Sequence, residues 1–147
     1  MKYTDRAYLA GLVDGEGCIT ICRRKKARGQ NKNWYYEPQV DVANTDKRII
    51  DCLVDLCGGW VATPKKNKDH HKQGYYWKIT GDNMRQFLRD ILPYLRGKKE
   101  QARTVLQFPT YEHKGCNGRT QKEMKKQEDL WARIKQLNKK GFKPVKR

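Results

Sequence analysis

The sequence predicts an α+β fold: one antiparallel four-stranded sheet, helices packed on one of its faces, and extra helices at the C-terminus. Three observations predict it. Apolar spacing alternates between the helical and the strand period in the order α-β-β-α-β-β-α. The αββ unit occurs twice, which a single antiparallel sheet covered by helices accommodates most simply. The chain has 147 residues, enough for one domain with one modest core. That domain spans residues 1–138, and a basic tail, KKGFKPVKR, follows.

The first helix opens after Thr4, a candidate N-cap. Ala7, Tyr8, Leu9, Ala10, Gly11, Leu12 and Val13 are apolar almost all round, and Gly15 and Gly17 end the run. A helix apolar on every side must be buried on every side. In a small domain this implies packing on its own sheet and on a second molecule. Residues 18–26 alternate as a strand, with Ile19 and Ile21 against Cys18, Thr20 and Cys22. Residues 29–33 form a polar loop, and 34–43 alternate again, with Val40 and Val42 opposite Gln39 and Asp41. Pro38 suggests an edge position or a bulge. Asn44 or Thr45 caps a second helix with Ile49, Ile50, Leu53, Val54 and Leu56 as its apolar stripe, and Gly58 and Gly59 stop it. Strands at 60–65 and 74–80 flank the polar run KKNKDHHKQG. In the second of them Tyr75, Trp77 and Ile79 face either the core or the open side. A third helix, 82–95, buries Met84, Phe87, Leu88, Ile91 and Leu92, with Pro93 near its end. A fourth, 97–108, turns Ala102, Val105, Leu106 and Phe108 inward. The last, 120–138, presents Met124, Leu130, Trp131, Ile134 and Leu137 on one face.

The chain carries 33 Lys and Arg against 16 Asp and Glu, a formal charge of +17. Such self-repulsion persists mainly where a polyanion neutralises it, nucleic acid first and an anionic membrane surface second. No stretch approaches 18 apolar residues, so no membrane span is expected. The N-terminus has acids where a signal peptide would be apolar, and an intracellular protein is expected. Five Cys at irregular spacing (18, 22, 52, 57 and 116) suit neither a disulfide framework nor a tetrahedral zinc site, and read as reduced thiols.

Against this basic background the first helix ends in Asp14 and Glu16. A helix C-terminus already carries partial negative charge, and two acids there concentrate it. Such a spot does not attract phosphate directly. It suits Mg²⁺, which takes carboxylate and carbonyl oxygens plus waters, and which can bridge protein to phosphate and activate water.

The stretch from Leu9 to Gly17, LAGLVDGEG, resembles the signature of the LAGLIDADG homing endonucleases, from which it departs at Val13, Gly15 and Glu16. The motif occurs once, as in the single-motif members that act as homodimers. The αββαββα order, the NTD opening at 44–46 and PYLRGKKEQA at 93–102 extend the likeness over residues 5–108. The resemblance implies that the motif helices of two subunits meet at the dimer axis through Tyr8, Leu9, Gly11, Leu12 and Asp14. It implies Mg²⁺ (or Mn²⁺ or Ca²⁺ in the same site) on Glu16 and the Gly15 carbonyl. Asn44 matches the residue that orders the nucleophilic water, Lys47 or Arg48 the nearby basic residue, and Lys98 the lysine that supports the water network. The strand pairs of the dimer would form a saddle in the major groove of double-stranded DNA. Base contacts fall to Thr20, Cys22, Arg24, Lys26, Arg28, Tyr35, Gln39, Asp41, Thr63, Lys65, Tyr76 and Lys78, with Arg favouring guanine and Gln favouring adenine. Lys114, Lys139, Lys140 and Lys143 fall to phosphates.

The implied activity is a metal-dependent, staggered double-strand cut in a long pseudo-palindromic site. Two other readings share the charge: an intron RNA maturase or inactive DNA-binding relative, and a plain basic nucleic-acid-binding module. A maturase has no need of Glu16 or Mg²⁺. A plain module has no need of a buried apolar helix ending in acids. An organelle, a prokaryote or a phage would all be compatible hosts.

Overall fold

The computed structural model describes residues 1–25, 34–65, 72–109 and 120–139. Nine elements follow in order: α1 (Tyr3–Glu16), β1 (Gly17–Lys25), β2 (Trp34–Asn44), α2 (Lys47–Cys57), β3 (Trp60–Ala62), β4 (Tyr75–Thr80), α3 (Gly81–Ile91), α4 (Lys99–Leu106) and α5 (Gln121–Leu137). The strands form one sheet in the order β1-β2-β4-β3, every neighbour antiparallel. The registers place Ile19 opposite Val40, Val42 opposite Trp77, and Trp60 opposite Lys78.

Strand alternation then sorts the two faces. Ile19, Ile21, Tyr36, Val40, Val42, Trp77 and Ile79 are buried on one. Against them pack Leu9, Ala10 and Val13 of α1, Ile50 and Leu53 of α2, and Met84, Phe87, Leu88 and Ile91 of α3. Ala102 and Val105 of α4 and Leu130 and Ile134 of α5 complete this core. The opposite face carries Cys18, Thr20, Cys22, Arg24, Asp41, Trp60, Tyr76 and Lys78, and no helix among the described residues packs on it. The two-way reading of β4 is resolved: Trp77 and Ile79 face the core, and Tyr76 and Lys78 face outward. Trp77 is pinned by its indole N–H, which donates to the Gly58 carbonyl at 2.7 Å, and by an edge-on contact with Phe87.

Pro38 sits in an inner strand. β4 pairs only with Gln39–Asn44, however, so Pro38 lies just past that pairing, where β2 is locally an edge and a missing N–H is tolerated. The C-terminal helix anchors the other end of the hairpin. The Arg23 guanidinium lies 4.1 Å from the Trp34 ring and 4.0 Å from the Trp131 ring, and Asn138 donates to the Ile19 carbonyl of the edge strand.

Several boundaries differ from the sequence expectation. α1 starts at Tyr3 after Lys2, so Thr4 is inside the helix and not its cap, and it continues through Gly15 to Glu16. Asp46 caps α2, accepting from the Arg48 N–H at 3.0 Å, while Asn44 accepts from the Asp46 N–H at 2.8 Å. β3 is three residues long, because Pro64 has no N–H to continue the ladder, and Thr63 and Lys65 lie beyond it. α3 ends at Ile91, two residues before Pro93, and a turn closed by Tyr94 and Leu95 bonding back to the Ile91 carbonyl follows. α4 is shorter than expected at both ends. Leu56, expected in the apolar stripe of α2, is exposed. Thr120 and Glu123 form a reciprocal capping box at the start of α5.

Candidate functional site

The site grows from the C-terminal end of α1. The last carbonyls of a helix lack intrahelical donors and need partners. Here Gly17 N–H bonds the Val13 carbonyl. The Lys98 ammonium reaches the same carbonyl at 2.9 Å and the Asp14 carbonyl at 2.6 Å. The Asp14 carboxylate faces the other way. It accepts from the backbone N–H groups of Arg96 (2.7 Å), Gly97 (3.1 Å) and Lys98 (2.8 Å). Burial raises the Asp14 pKa, but these three amides and the Lys98 charge outweigh it and hold the carboxyl below its usual value. The Asp14 carboxylate is therefore bonded within its own chain. Glu16, one residue from the strand, is exposed. The carbonyl of Gly15, next to last in α1, has no intrahelical donor either.

Glu16 also lines a concavity of about 360 Å³ on the open sheet face, with Cys18, Asp41, Ala43, Trp60, Ala62, Tyr76, Trp77 and Lys78. Its polar floor is prearranged. Gln39 Nε2 donates to both Asp41 oxygens, at 3.1 and 2.8 Å, and Lys78 Nζ lies 3.8 Å from Asp41. Burial pushes the Asp41 carboxyl above its usual value despite the Gln39 bond and the Lys78 charge. Burial, and then the Asp41 charge, push the Cys18 and Cys22 thiols up as well. Trp60 and Tyr76 leave 52% and 48% of their surface open at the rim. Lys78 lies 5.1 Å from the Trp60 ring.

The structure thus brings Glu16, Asp41, Tyr76 and Lys78 to one concavity, and Asp14 and Lys98 to one junction. Other expected residues stand elsewhere. Gln39 is on the open face but only 4% exposed, and its amide is spent on Asp41, so direct adenine reading by Gln39 is not what this geometry offers. Thr20, Cys22, Arg24 and Tyr35 lie on the open face, Arg24 beside Glu37 at 3.9 Å. Thr63 and Lys65 are exposed past β3. Asn44 shares its strand parity with Val40 and Val42, the core side, and its carbonyl oxygen closes the β2–α2 turn. Lys47 pairs with Asp51 and Arg48 with Asp46, each at 2.7 Å on the surface of α2. Lys139 is exposed just after α5. Lys26, Arg28, Lys114, Lys140 and Lys143 lie outside the described residues. On α1, Leu9 is fully buried in the protein's own core, a correction to its place on the expected dimer face. Tyr8, Gly11 and Gly15 form an exposed stripe at helical spacing, and Leu12 beside them is half-buried against the core. Trp60 was missed as a site residue. Its signal was its register with Lys78, which needs the strand pairing.

The donors fit a hard divalent cation. Glu16 and the Gly15 carbonyl offer oxygen alone, and Mg²⁺ keeps several waters and takes phosphate oxygens besides one or two carboxylates. Among the described residues no group of three or more His, Cys, Asp or Glu converges.

A cationic chain with a polar sheet face and an exposed carboxylate at its rim has the make-up of a nucleic-acid-processing domain. The comparisons give the family: the chain belongs to the LAGLIDADG endonucleases, whose model matches residues 9–111. Among solved structures, the homing endonuclease I-CvuI, in complex with the I-CreI target in the presence of Mg and with the DNA not cleaved, superposes with a TM-score of 0.67 at 22% identity, over 95% of this chain and 85% of that one. The archaeal intron-encoded homing endonuclease I-Vdi141I, complexed with DNA, gives a TM-score of 0.68 at 12% identity, over 97% and 89% of the two chains. I-SmaMI, bound to cleaved DNA, gives 0.63 at 12% identity, over 92% of this chain but 45% of its own. At these identities the likeness is one of fold. No curated protein sequence matches the chain. No helix among the described residues is long and apolar enough to cross a membrane.

Proposed function

We propose that this protein is a homing endonuclease that makes a divalent-metal-dependent, staggered double-strand cut in a long pseudo-palindromic DNA site as a homodimer. One observation carries the reading: Glu16 is exposed at the end of α1, on the rim of the open sheet face, while the Lys98 ammonium is fixed to the last carbonyls of the same helix. Glu16 and the Gly15 carbonyl would hold Mg²⁺, which when bound supplies Lewis acidity at the scissile phosphate and an activated water. Lys98 uses two of its three N–H donors on main-chain carbonyls, leaving one for a water or a phosphate oxygen. The Asn44 amide nitrogen keeps donors for a water, since its bonded atom is the oxygen. Thr20, Cys22, Arg24, Tyr35, Asp41, Tyr76 and Lys78 would meet base edges, with Gln39 holding Asp41 in place. An aspartate accepts from cytosine N4 and a lysine donates to guanine, so the Asp41–Lys78 pair suits a C·G pair.

The homodimer reading rests on the exposed stripe of Tyr8, Gly11 and Gly15, with half-buried Leu12 at its edge. Beyond α1's own nearby backbone, a Cβ at Gly11 or Gly15 would meet no atom of the described residues within 4 Å, which leaves room for another backbone.

The test is a selection for cleaved sites from a randomised DNA library with Mg²⁺, run beside Glu16→Gln. The reading expects the wild type to enrich a long near-palindrome and the variant to enrich nothing. Equal cleavage by both would remove Glu16 from the chemistry. Enrichment of a site without symmetry would remove the homodimer.

A further inference from the structure

The junction between α1 and the segment entering α4 is bonded in both directions. From α1, the Asp14 carboxylate takes three consecutive backbone N–H groups, of residues 96, 97 and 98, more than 80 positions along the chain. From the other side, the Lys98 side chain takes the carbonyls of residues 13 and 14. Lys98 is also the N-cap residue of α4, and no side-chain hydrogen bond caps that helix locally. The positive end of the α4 dipole and its approach N–H groups are met by Asp14 instead. Carboxylate-to-amide bonds are charge-assisted, about twice as strong as neutral ones. Gly97 packs on the carboxylate, and a Cβ there would stand in ordinary contact with Asp14 Oδ1, at 3.4 Å. The same residue, Lys98, is thus held at its backbone by Asp14 and at its ammonium by the helix that ends in Glu16.

We propose that Asp14 is a positioning residue for the cleavage reaction, which through this reciprocal latch sets the Lys98 ammonium on the last carbonyls of α1, the helix that ends in Glu16. The functional consequence rests on the nuclease reading above; the latch itself does not. Without the carboxylate, residues 96–98 lose their anchor, and a long lysine side chain regains rotamers that place its charge elsewhere. Asp14 touches neither DNA nor metal in this scheme, so its loss acts on rate and spares binding.

The experiment compares Asp14→Asn, Lys98→Gln and the double variant in the full-length protein. DNA affinity is measured without metal, single-turnover cleavage with Mg²⁺, and the ¹⁵N NMR signal of the Lys98 ammonium is assigned by its absence from Lys98→Gln. The expected result is affinity within about threefold of wild type for Asp14→Asn, cleavage slowed by about 10- to 100-fold, and a double variant no slower than Lys98→Gln alone. The Lys98 signal moves and its solvent exchange quickens. Asp14→Glu, which keeps the charge on a longer arm, recovers part of both, and it carries the comparison if Asp14→Asn does not fold. Rate losses that multiply in the double variant, or an unmoved Lys98 signal, overturn the proposal. If the wild type cuts no DNA, the nuclease reading fails, and the NMR signal still decides the latch.

Discussion

Replacing Trp77 with Phe tests the side of the sheet on which β4 hides its large residues. Trp77 has no exposed surface, its indole N–H meets the Gly58 carbonyl at 2.7 Å, and its ring meets Phe87 edge-on at 5.5 Å between centroids. The phenyl ring keeps the Phe87 contact and removes about three ring atoms. At about 0.8 kcal/mol per buried carbon the lost burial costs roughly 2 kcal/mol. The Gly58 carbonyl then lacks its indole donor, at a cost of about 1–2 kcal/mol. The sum is about 3 kcal/mol, which lowers the melting temperature of a domain this size by roughly 6–12 °C. Trp77→Ala removes the whole ring and costs about 3–5 kcal/mol, a large share of a typical stability of about 5–15 kcal/mol. Urea unfolding at fixed salt measures the first value, and DNA affinity is measured beside it. A Phe variant of wild-type stability with weakened DNA binding would refute the reasoning, because it would put Trp77 on the nucleic-acid side.

Two further predictions concern the rim of the site. Gly58 and Gly59 have φ of +72° and +87°, but only at Gly59 would a Cβ strike the backbone, 2.5 Å from the Lys78 carbonyl. Gly59→Ala should therefore cost at least about 3 kcal/mol and Gly58→Ala about 1–2 kcal/mol; equal losses in urea unfolding would contradict the packing of β4 on this turn. Asp41 is the reverse case. Burial raises its folded pKa above the unfolded value, so its ionised form opposes folding at neutral pH, and that penalty fades as pH falls through the raised pKa. Asp41→Asn should raise stability at pH 7 and lose that advantage toward pH 4; a variant less stable than wild type at pH 7 would show that the Lys78 and Gln39 contacts outweigh burial.

The order of the elements, the sheet with its helices on one side and the acids that end the first helix were all legible along the chain. Those are matters of local periodicity, since Ile19, Ile21, Val40 and Val42 declare a strand face without reference to the rest of the chain. The sequence could not sort α1. A helix apolar all round has no preferred side, and only docking on the sheet sends Leu9 inward and Tyr8 outward. Nor could it place Trp77, since Tyr75, Trp77 and Ile79 alternate with Tyr76 and Lys78, and Tyr76 is as aromatic as its neighbours. Pairing with Val42 decided that. The sequence also named Asp14 and Lys98 separately. That one anchors the other follows from backbone amides more than 80 residues away, whose positions are set by topology and not by spacing. Spacing tells which face of an element is apolar. What that face meets, and which polar groups are brought within bonding distance, is decided by how the elements close on one another.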